Sequence, residues 1–201
     1  SFKKTSLILE VFSPYDKSLV GVTYLAGQDE ALKAVKAAIE AFPVLRNLPA
    51  HKRARILEDI ADGITETAEE FAVTIALEAG KPVTEARAEV KRAVNTFRIA
   101  AEEAKRMGGE VLPLDIAEGS EKRTGIIKRF PIGPVLAITP FNFPLNLVAH
   151  KVAPAIACGC PVIVKPADKT PLSAIMLGRI INDSGLPKGG ISVLPCSIPV
   201  A

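Results

Sequence analysis

The chain has 201 residues, of which 48% are hydrophobic and 23% charged, a composition typical of a globular protein and not of a disordered one. The formal net charge of +3 is too small to indicate a nucleic-acid-binding protein. No apolar run reaches the ~18 residues of a membrane span. At this length we expect one substantial domain, alone or with an appendage.

The chain has three cysteines, Cys158, Cys160 and Cys196, and this odd number does not suit a disulfide scaffold. They favour a reducing compartment, so we expect a cytoplasmic protein. The spacing of Cys158 and Cys160 is not that of a zinc site, and we predict no metal site. All three are predicted to be buried structural thiols.

The first half of the chain is predicted to contain two short strands followed by four helices. Apolar segments at 7–11 and 19–25, separated by a turn, predict the strands. Helices are expected over about 29–42, after Pro49, from Thr67 to Gly80, and over 83–107. Their helical spacing predicts that Leu57, Ile64, Phe71, Ile75 and Phe97 face inward. Neither the phosphate-loop nor the GxGxxG dinucleotide signature occurs.

Three details of these helices can be tested against the structure. Leu32, Val35, Ile39 and Phe42 are predicted to face inward on the first helix, which Pro43 is expected to end. The spacing of Thr67 and Glu70 predicts a capping box at the third helix. The charged residues of the fourth helix are predicted to form a solvated surface.

A β-hairpin is expected after Gly108 and Gly109, which interrupt the helical pattern. Residues 111–116 and 124–130 read as two strands joined by a polar loop. If the hairpin projects from the domain, its unpaired edges are suited to a partner subunit. An ordinary surface hairpin is the alternative.

A strand–helix–strand unit follows, and it is where we expect a ligand site. Strands are predicted at 135–138 and 162–165, with a helix between Pro144 and Gly159. Such units bind ligands outside the carboxyl ends of their strands, where Asn142 and Lys165 both lie. The alternative roles are a helix N-cap for Asn142 and a solvated strand end for Lys165.

The segment 122–167 contains six Lys and Arg residues and no Asp or Glu. This distribution suits an anion such as a cofactor phosphate. Buried strands also exclude acidic residues, and the pattern alone does not separate the two explanations. Residues 168–171 lead into a helix that runs to about Asp183, and a strand at 191–194 follows, which gives an α/β fold with a parallel sheet.

Several spaced motifs resemble the aldehyde dehydrogenase superfamily. They are, in chain order, Gly133-Pro134-Val135, Thr139-Pro140-Phe141-Asn142-Phe143-Pro144-Leu145, Lys151-Val152-Ala153-Pro154-Ala155, Gly159, Lys165-Pro166-Ala167, Thr170-Pro171, and the loop and strand from Gly185-Leu186-Pro187 to Val193-Leu194-Pro195. The resemblance covers essentially the whole chain, strongly after Gly133 and weakly before it. It corresponds to the N-terminal part of a longer family sequence.

The resemblance implies a Rossmann-like parallel sheet with flanking helices, a helical N-terminal half and a projecting β-hairpin. Residues 1–107 and 131–201 would form an incomplete NAD(P)-binding domain. Residues 108–130 would be a bridging element that supports homodimers or homotetramers. The implied reaction oxidises an aldehyde to a carboxylic acid with NAD or NADP. In that family a cysteine thiolate attacks the aldehyde, the resulting thiohemiacetal oxyanion passes hydride to the nicotinamide, and the thioester is then hydrolysed.

The resemblance also implies roles for individual residues. Asn142 matches the family asparagine whose amide donates to the oxyanion, and Lys165 the lysine at the adenosine ribose. Asp168 stands where many NAD-using members carry Glu, which leaves NAD versus NADP open. Phe141 replaces the Trp common in the family and favours the lactaldehyde-like or non-phosphorylating glyceraldehyde-3-phosphate-like members. The implied cofactor-binding residues are Ile138, Thr139, Pro140, Phe141, Lys165, Ala167 and Asp168.

The family nucleophile and glutamate base match no segment of residues 1–201. We therefore expect the catalytic domain to lie outside this chain, and the 201 residues alone to be inactive. Two alternatives stay open: a non-catalytic dinucleotide-binding or assembly module, and an acylating member that passes the acyl group to coenzyme A or phosphate.

Overall fold

A computed structural model describes residues 3–200. The chain begins with two antiparallel strands, β1 (Ile8–Phe12) and β2 (Leu19–Tyr24). Four helices follow: α1 (Gln28–Leu45), α2 (Ala50–Glu66), α3 (Ala68–Ala79) and α4 (Val83–Arg106). The predicted order and type of these elements are confirmed.

The helical half is built around a common apolar core. Leu57, Ile64, Phe71, Ile75 and Phe97 are each 0% exposed. Burying such a side chain stabilises the fold by about 1.5–3 kcal/mol relative to leaving it in water. These residues recur at helical spacing in the sequence, and their predicted inward orientation is confirmed.

Helix α1 buries a different face from the one that its large apolar residues predict. Three predicted inward residues are 60%, 44% and 58% exposed, namely Leu32, Val35 and Ile39. The residues that are buried instead are Ala34, Ala38, Ala41 and Leu45. Ala34 and Ala38 contact Ile163 of the sheet. Small side chains let a helix lie close to its neighbour, and here this close approach outweighs the larger apolar residues.

Two predicted end signals operate differently in the structure. Pro43 lies inside the last turn of α1, which continues to Leu45. The hydroxyl of Thr67 donates to the carbonyl of Gly63 at 2.8 Å, within the end of the preceding helix. It is therefore not available for a capping box with Glu70, and that prediction is wrong. Gly80 ends α3 with φ +66°, as its position predicts.

The predicted hairpin consists of β3 (Glu110–Pro113) and β4 (Thr124–Ile127), which pair antiparallel. Val111 and Ile126 are cross-strand partners and are 72% and 75% exposed. Gly109 is required at the base, because a Cβ there would lie 2.0 Å from the carbonyl oxygen of Ile127. The hairpin thus presents apolar side chains to solvent.

The second half forms a parallel sheet in the order β5-β6-β7. Its strands are β5 (Val135–Ile138), β6 (Val162–Lys165) and β7 (Ile191–Val193), joined by α5 (Asn146–Cys158) and α6 (Leu172–Asp183). Helix α5 begins at Asn146, two residues after the predicted Pro144. A short 3-10 turn, Ile198–Val200, follows. The α/β class and the parallel sheet with flanking helices are confirmed.

Helices α2 and α4 pack against α5, so the N-terminal half and the sheet share one core. None of the helices within residues 3–200 combines the length and the apolar character needed to cross a membrane.

Candidate active site

Two segments that carry predicted site residues lie side by side at the carboxyl edge of the parallel sheet. Ile138, the last residue of β5, is in register with Lys165, the last residue of β6. The backbone N–H of Thr139 donates to the carbonyl of Lys165 at 3.1 Å, and Thr139 is only 5% exposed. The segments that follow β5 and β6 are therefore neighbours where the two strands end.

Lys165 is held at this edge by a carboxylate. Its Nζ lies 2.8 Å from Oδ1 of Asp168, and the lysine is 8% exposed. Between them Ala167 begins a turn, in which its carbonyl accepts the N–H of Thr170 at 3.1 Å. The ammonium and the carboxylate nearly cancel each other's charge, and both keep free hydrogen-bonding positions.

An apolar surface lies beside this pair. Ile138 and Phe141 are 57% and 53% exposed, and Pro140 between them is also exposed. The ammonium of Lys169 lies 5.2 Å from the centroid of the Phe141 ring. Exposed apolar side chains at a sheet edge suit the flat rings of a nucleotide.

Asn142 is exposed at the outer part of the loop from residue 139 to 145. Its side chain makes no hydrogen bond to another residue within 3–200. The N-cap position of α5 belongs to Leu145, without a side-chain cap. The alternative role of Asn142 as a helix cap is therefore wrong, and its amide is free to serve a ligand.

Two buried glutamates, which the sequence analysis did not single out, lie behind these loops. The carboxylate of Glu89 accepts the N–H groups of Leu145 and Asn146 at the start of α5, at 2.9 and 3.1 Å. The predicted solvation of α4's charges is thus wrong for Glu89, which is 0% exposed. Glu89 lies three residues after Ala86 and four residues before Ala93, on the same buried face of the helix. This spacing was the sign in the sequence that Glu89 is buried.

Glu78 at the end of α3 does the same for α6. Its carboxylate accepts the N–H groups of Leu172 and Ser173 at 2.8 and 3.1 Å. Burial raises the pKa of Glu78 to about 7, although the hydrogen bonds from Leu172 and Ser173 act in the opposite direction. Glu78 is therefore poised to change protonation near neutral pH.

Comparison with known proteins places this chain in a family. The sequence model of the aldehyde dehydrogenase family matches residues 2–199. The chain belongs to the aldehyde dehydrogenase family. The resemblance inferred from the motifs is therefore confirmed.

Individual relatives are similar over nearly the whole chain. Aspartate-semialdehyde dehydrogenase 1 of Pseudomonas canavaninivorans is 45% identical over 92% of the chain and 39% of its own length. The structure of aldehyde dehydrogenase 21 from Physcomitrella patens, in complex with the reaction product succinate, is 43% identical, with a TM-score of 0.94 over 100% of this chain and 41% of that one.

A third relative was solved with a cofactor. Glyceraldehyde-3-phosphate dehydrogenase GapN from Methanocaldococcus jannaschii, complexed with NADP, is 40% identical, with a TM-score of 0.88 over 94% of this chain and 41% of that one. The aldehyde dehydrogenase chain thus spans about 40% of the length of these relatives.

The cysteines of this aldehyde dehydrogenase chain lie apart from Asn142 along the sequence and differ in exposure. Cys160 and Cys196 are buried as predicted, whereas Cys158 is exposed, which corrects that prediction. Cys158 is the last residue of α5, at the helix end, where its Sγ lies 3.6 Å from Sδ of Met107. Desolvation by the surrounding protein atoms raises the pKa of both the Cys158 and the Cys196 thiol, which disfavours the nucleophilic thiolate.

Proposed function

We propose that this chain supplies the cofactor site and the oxyanion donor of an enzyme that oxidises an aldehyde to a carboxylic acid with NAD or NADP. The observation that carries the proposal is the exposed, uncommitted amide of Asn142 at the sheet edge of an aldehyde dehydrogenase chain. The relatives named above act on aldehydes by their names, which supports the same substrate class here.

The role of Asn142 follows from the chemistry of the first step. A thiolate that attacks an aldehyde carbon turns the carbonyl oxygen into an oxyanion. A neutral, fixed N–H donor stabilises charge that is absent in the bound aldehyde and develops in the transition state. The Asn142 amide offers a neutral N–H donor, and no protein group competes for it within residues 3–200.

The residues at the sheet edge fit one end of a dinucleotide. Lys165 and Asp168 offer a donor and an acceptor for ribose hydroxyls. Ile138, Thr139, Pro140, Phe141 and Ala167 supply backbone and apolar surface. NAD or NADP, when bound, supplies the hydride acceptor of the reaction. Because Lys165 neutralises much of the Asp168 charge, repulsion of a 2′-phosphate is weak, and both cofactors are compatible with the pair.

We propose that the nucleophile and the base come from residues outside 1–201. The raised thiol pKa of Cys158 and Cys196 and the burial of Cys160 support this assignment. Mass spectrometry of the intact protein tests it. A mass that corresponds to a polypeptide ending near Ala201 would contradict the proposal of an enzyme and favour a dinucleotide-binding or assembly module.

A panel of aldehydes, assayed with NAD and with NADP on the intact protein, tests the activity itself. We expect reduced cofactor to form in proportion to carboxylic acid. Cofactor reduction that requires added coenzyme A or phosphate would indicate an acylating dehydrogenase instead. No cofactor reduction with any aldehyde would contradict the proposal.

Replacing Lys165 with methionine is expected to raise the KM for the cofactor about 10- to 100-fold, since a hydrogen bond to a charged group is worth about 1.5–3 kcal/mol. The value of kcat is expected to change much less, because Lys165 is assigned to the adenosine end. Steady-state kinetics at varied NAD and NADP measure both. Lys188→Met, an exposed lysine before β7 at the opposite edge of the sheet, is the matched control. Equal effects of both variants would contradict the assignment.

We further propose that the hairpin, residues 108–130, is a bridging element between subunits in a homodimer or homotetramer. The exposed apolar pair of Val111 and Ile126 supports this, because such side chains are usually covered in an assembly.

Ile126→Glu is expected to shift the intact protein toward a smaller oligomer, because burying the new carboxylate in an interface is strongly unfavourable. Size-exclusion chromatography with light scattering measures the change. Leu32→Glu is the control, since Leu32 is a similarly large exposed residue, at 60%, but lies on α1. An unchanged oligomer in the Ile126 variant would contradict the bridging role.

A further inference from the structure

The start of α5 lacks a capping side chain of its own. Its N-cap residue is Leu145, and its first turn contains no acidic residue. The first N–H groups of a helix have no partner within the helix and carry partial positive charge. In α5 the partner comes from α4, where both contacts are made by one oxygen, Oε1 of Glu89.

The second oxygen of Glu89 binds a lysine. Oε2 lies 2.6 Å from Nζ of Lys81, while Glu89 and Lys81 side chains are 0% and 18% exposed. A buried carboxylate with three donors has a single well-determined position. The backbone at Leu145 and Asn146 is therefore attached to a rigid part of the helical half.

Lys81 and a second cation, Arg92, contact the residue that follows Asn142. The Phe143 ring has Nζ of Lys81 at 3.9 Å and Cζ of Arg92 at 4.9 Å from its centroid. The Phe143 carbonyl also accepts the N–H of Leu147 at 3.0 Å. Both the ring and the backbone of Phe143 are thus held in place.

Asn142 itself is held by none of these contacts. Its side chain has no hydrogen-bond partner within residues 3–200, so the position of its amide depends on the backbone on either side. On one side that backbone is anchored at Thr139, which bonds to β6. On the other side it is anchored at Phe143 and Leu145, through Lys81 and Glu89.

We propose that Glu89 is a positioning residue for the Asn142 amide, acting through the first turn of α5. The inference rests on the proposed function, because it assumes that Asn142 stabilises the oxyanion. Misplacing a reacting group by about 1 Å can lower a rate by about 100-fold. The buried Glu89–Lys81 pair fixes the loop before any ligand arrives.

The test is a double-mutant cycle between Glu89 and Asn142 in the intact protein. Glu89→Gln keeps the size of the side chain and removes its charge. We expect it to lower kcat about 10- to 100-fold, with little change in the KM for aldehyde or cofactor. In the Asn142→Ala background the same substitution should change kcat by no more than about twofold, because the donor that it positions is gone.

Two control variants separate positioning from general damage. Glu85→Gln removes an exposed carboxylate from the same helix and should leave kcat unchanged. Should Glu89→Gln fail to fold, the cycle is run with Arg92→Met, which removes an exposed cation from the Phe143 ring. Lys91→Met, its exposed neighbour, is then the control. Arg92→Met should lower kcat by a smaller factor, and only when Asn142 is present.

The outcomes are distinct. If Glu89→Gln lowered kcat equally in both backgrounds, or in neither, the inference would be overturned. The proposed function would still stand in that case, provided that the unmodified protein oxidises an aldehyde. No aldehyde oxidation by the unmodified protein would overturn the proposed function and the inference together.

Discussion

Asn142→Ala in the intact protein is expected to lower kcat by about 100- to 1,000-fold, which is the usual cost of removing one oxyanion donor. The KM values for aldehyde and cofactor should change little, because the amide contributes most where negative charge develops. Stopped-flow or steady-state measurement of cofactor reduction reports both parameters.

Asn182→Ala is the matched control for this substitution. Asn182 is an exposed asparagine on α6 whose amide donates to its neighbour Asp183. It should leave kcat unchanged. If kcat of Asn142→Ala fell by no more than that of the control, the oxyanion role would be wrong.

The second large effect concerns Glu78 and pH. The pKa of Glu78 is about 7 in the folded chain, above its usual value of 4.5. Between these values the folded protein holds a proton that the unfolded chain has lost, so the free energy of unfolding falls as pH rises. At ~1.4 kcal/mol per pKa unit the loss from this group is about 3 kcal/mol by pH 7 and above.

Glu78→Gln cannot lose a proton, and it should flatten this part of the pH dependence. Urea unfolding of the intact protein at pH 5 and pH 8 measures the difference between the variant and the unmodified protein. Glu85→Gln, on the exposed face of α4, should leave the slope unchanged. Parallel pH profiles for Glu78→Gln and the unmodified protein would show that Glu78 is ionised throughout.

The two buried glutamates give the helical half a defined function in the fold. Glu89 of α4 caps α5, and Glu78 of α3 caps α6. These are the two helices that follow the loops of the candidate site. The N-terminal helices contain no predicted site residue. They nevertheless hold the backbone that follows Asn142 and the backbone that follows Asp168.

Local patterns were sufficient for much of the fold. Apolar runs bounded by Gly and Pro predicted β5 and β6, and helical spacing predicted the buried positions of α2 and α3, such as Leu57 and Phe71. The motif around Asn142 indicated the family, which the family comparison confirms. Each of these signals involves residues a few positions apart, whose geometry the secondary structure itself sets.

The tertiary structure decided the features that depend on distant residues. Leu32 and Ile39 have the spacing of a core face, but the sheet surface at Ile163 accepts the alanines of α1 instead. Glu89 is 56 residues from Leu145 and reads as one charge among many on α4. The sequence alone determined the family, the parallel sheet and the edge where Asn142 and Lys165 lie. Which charges are buried, and which backbone they hold, depended on how the helices pack, because desolvation and hydrogen bonding act only between groups that the fold brings together.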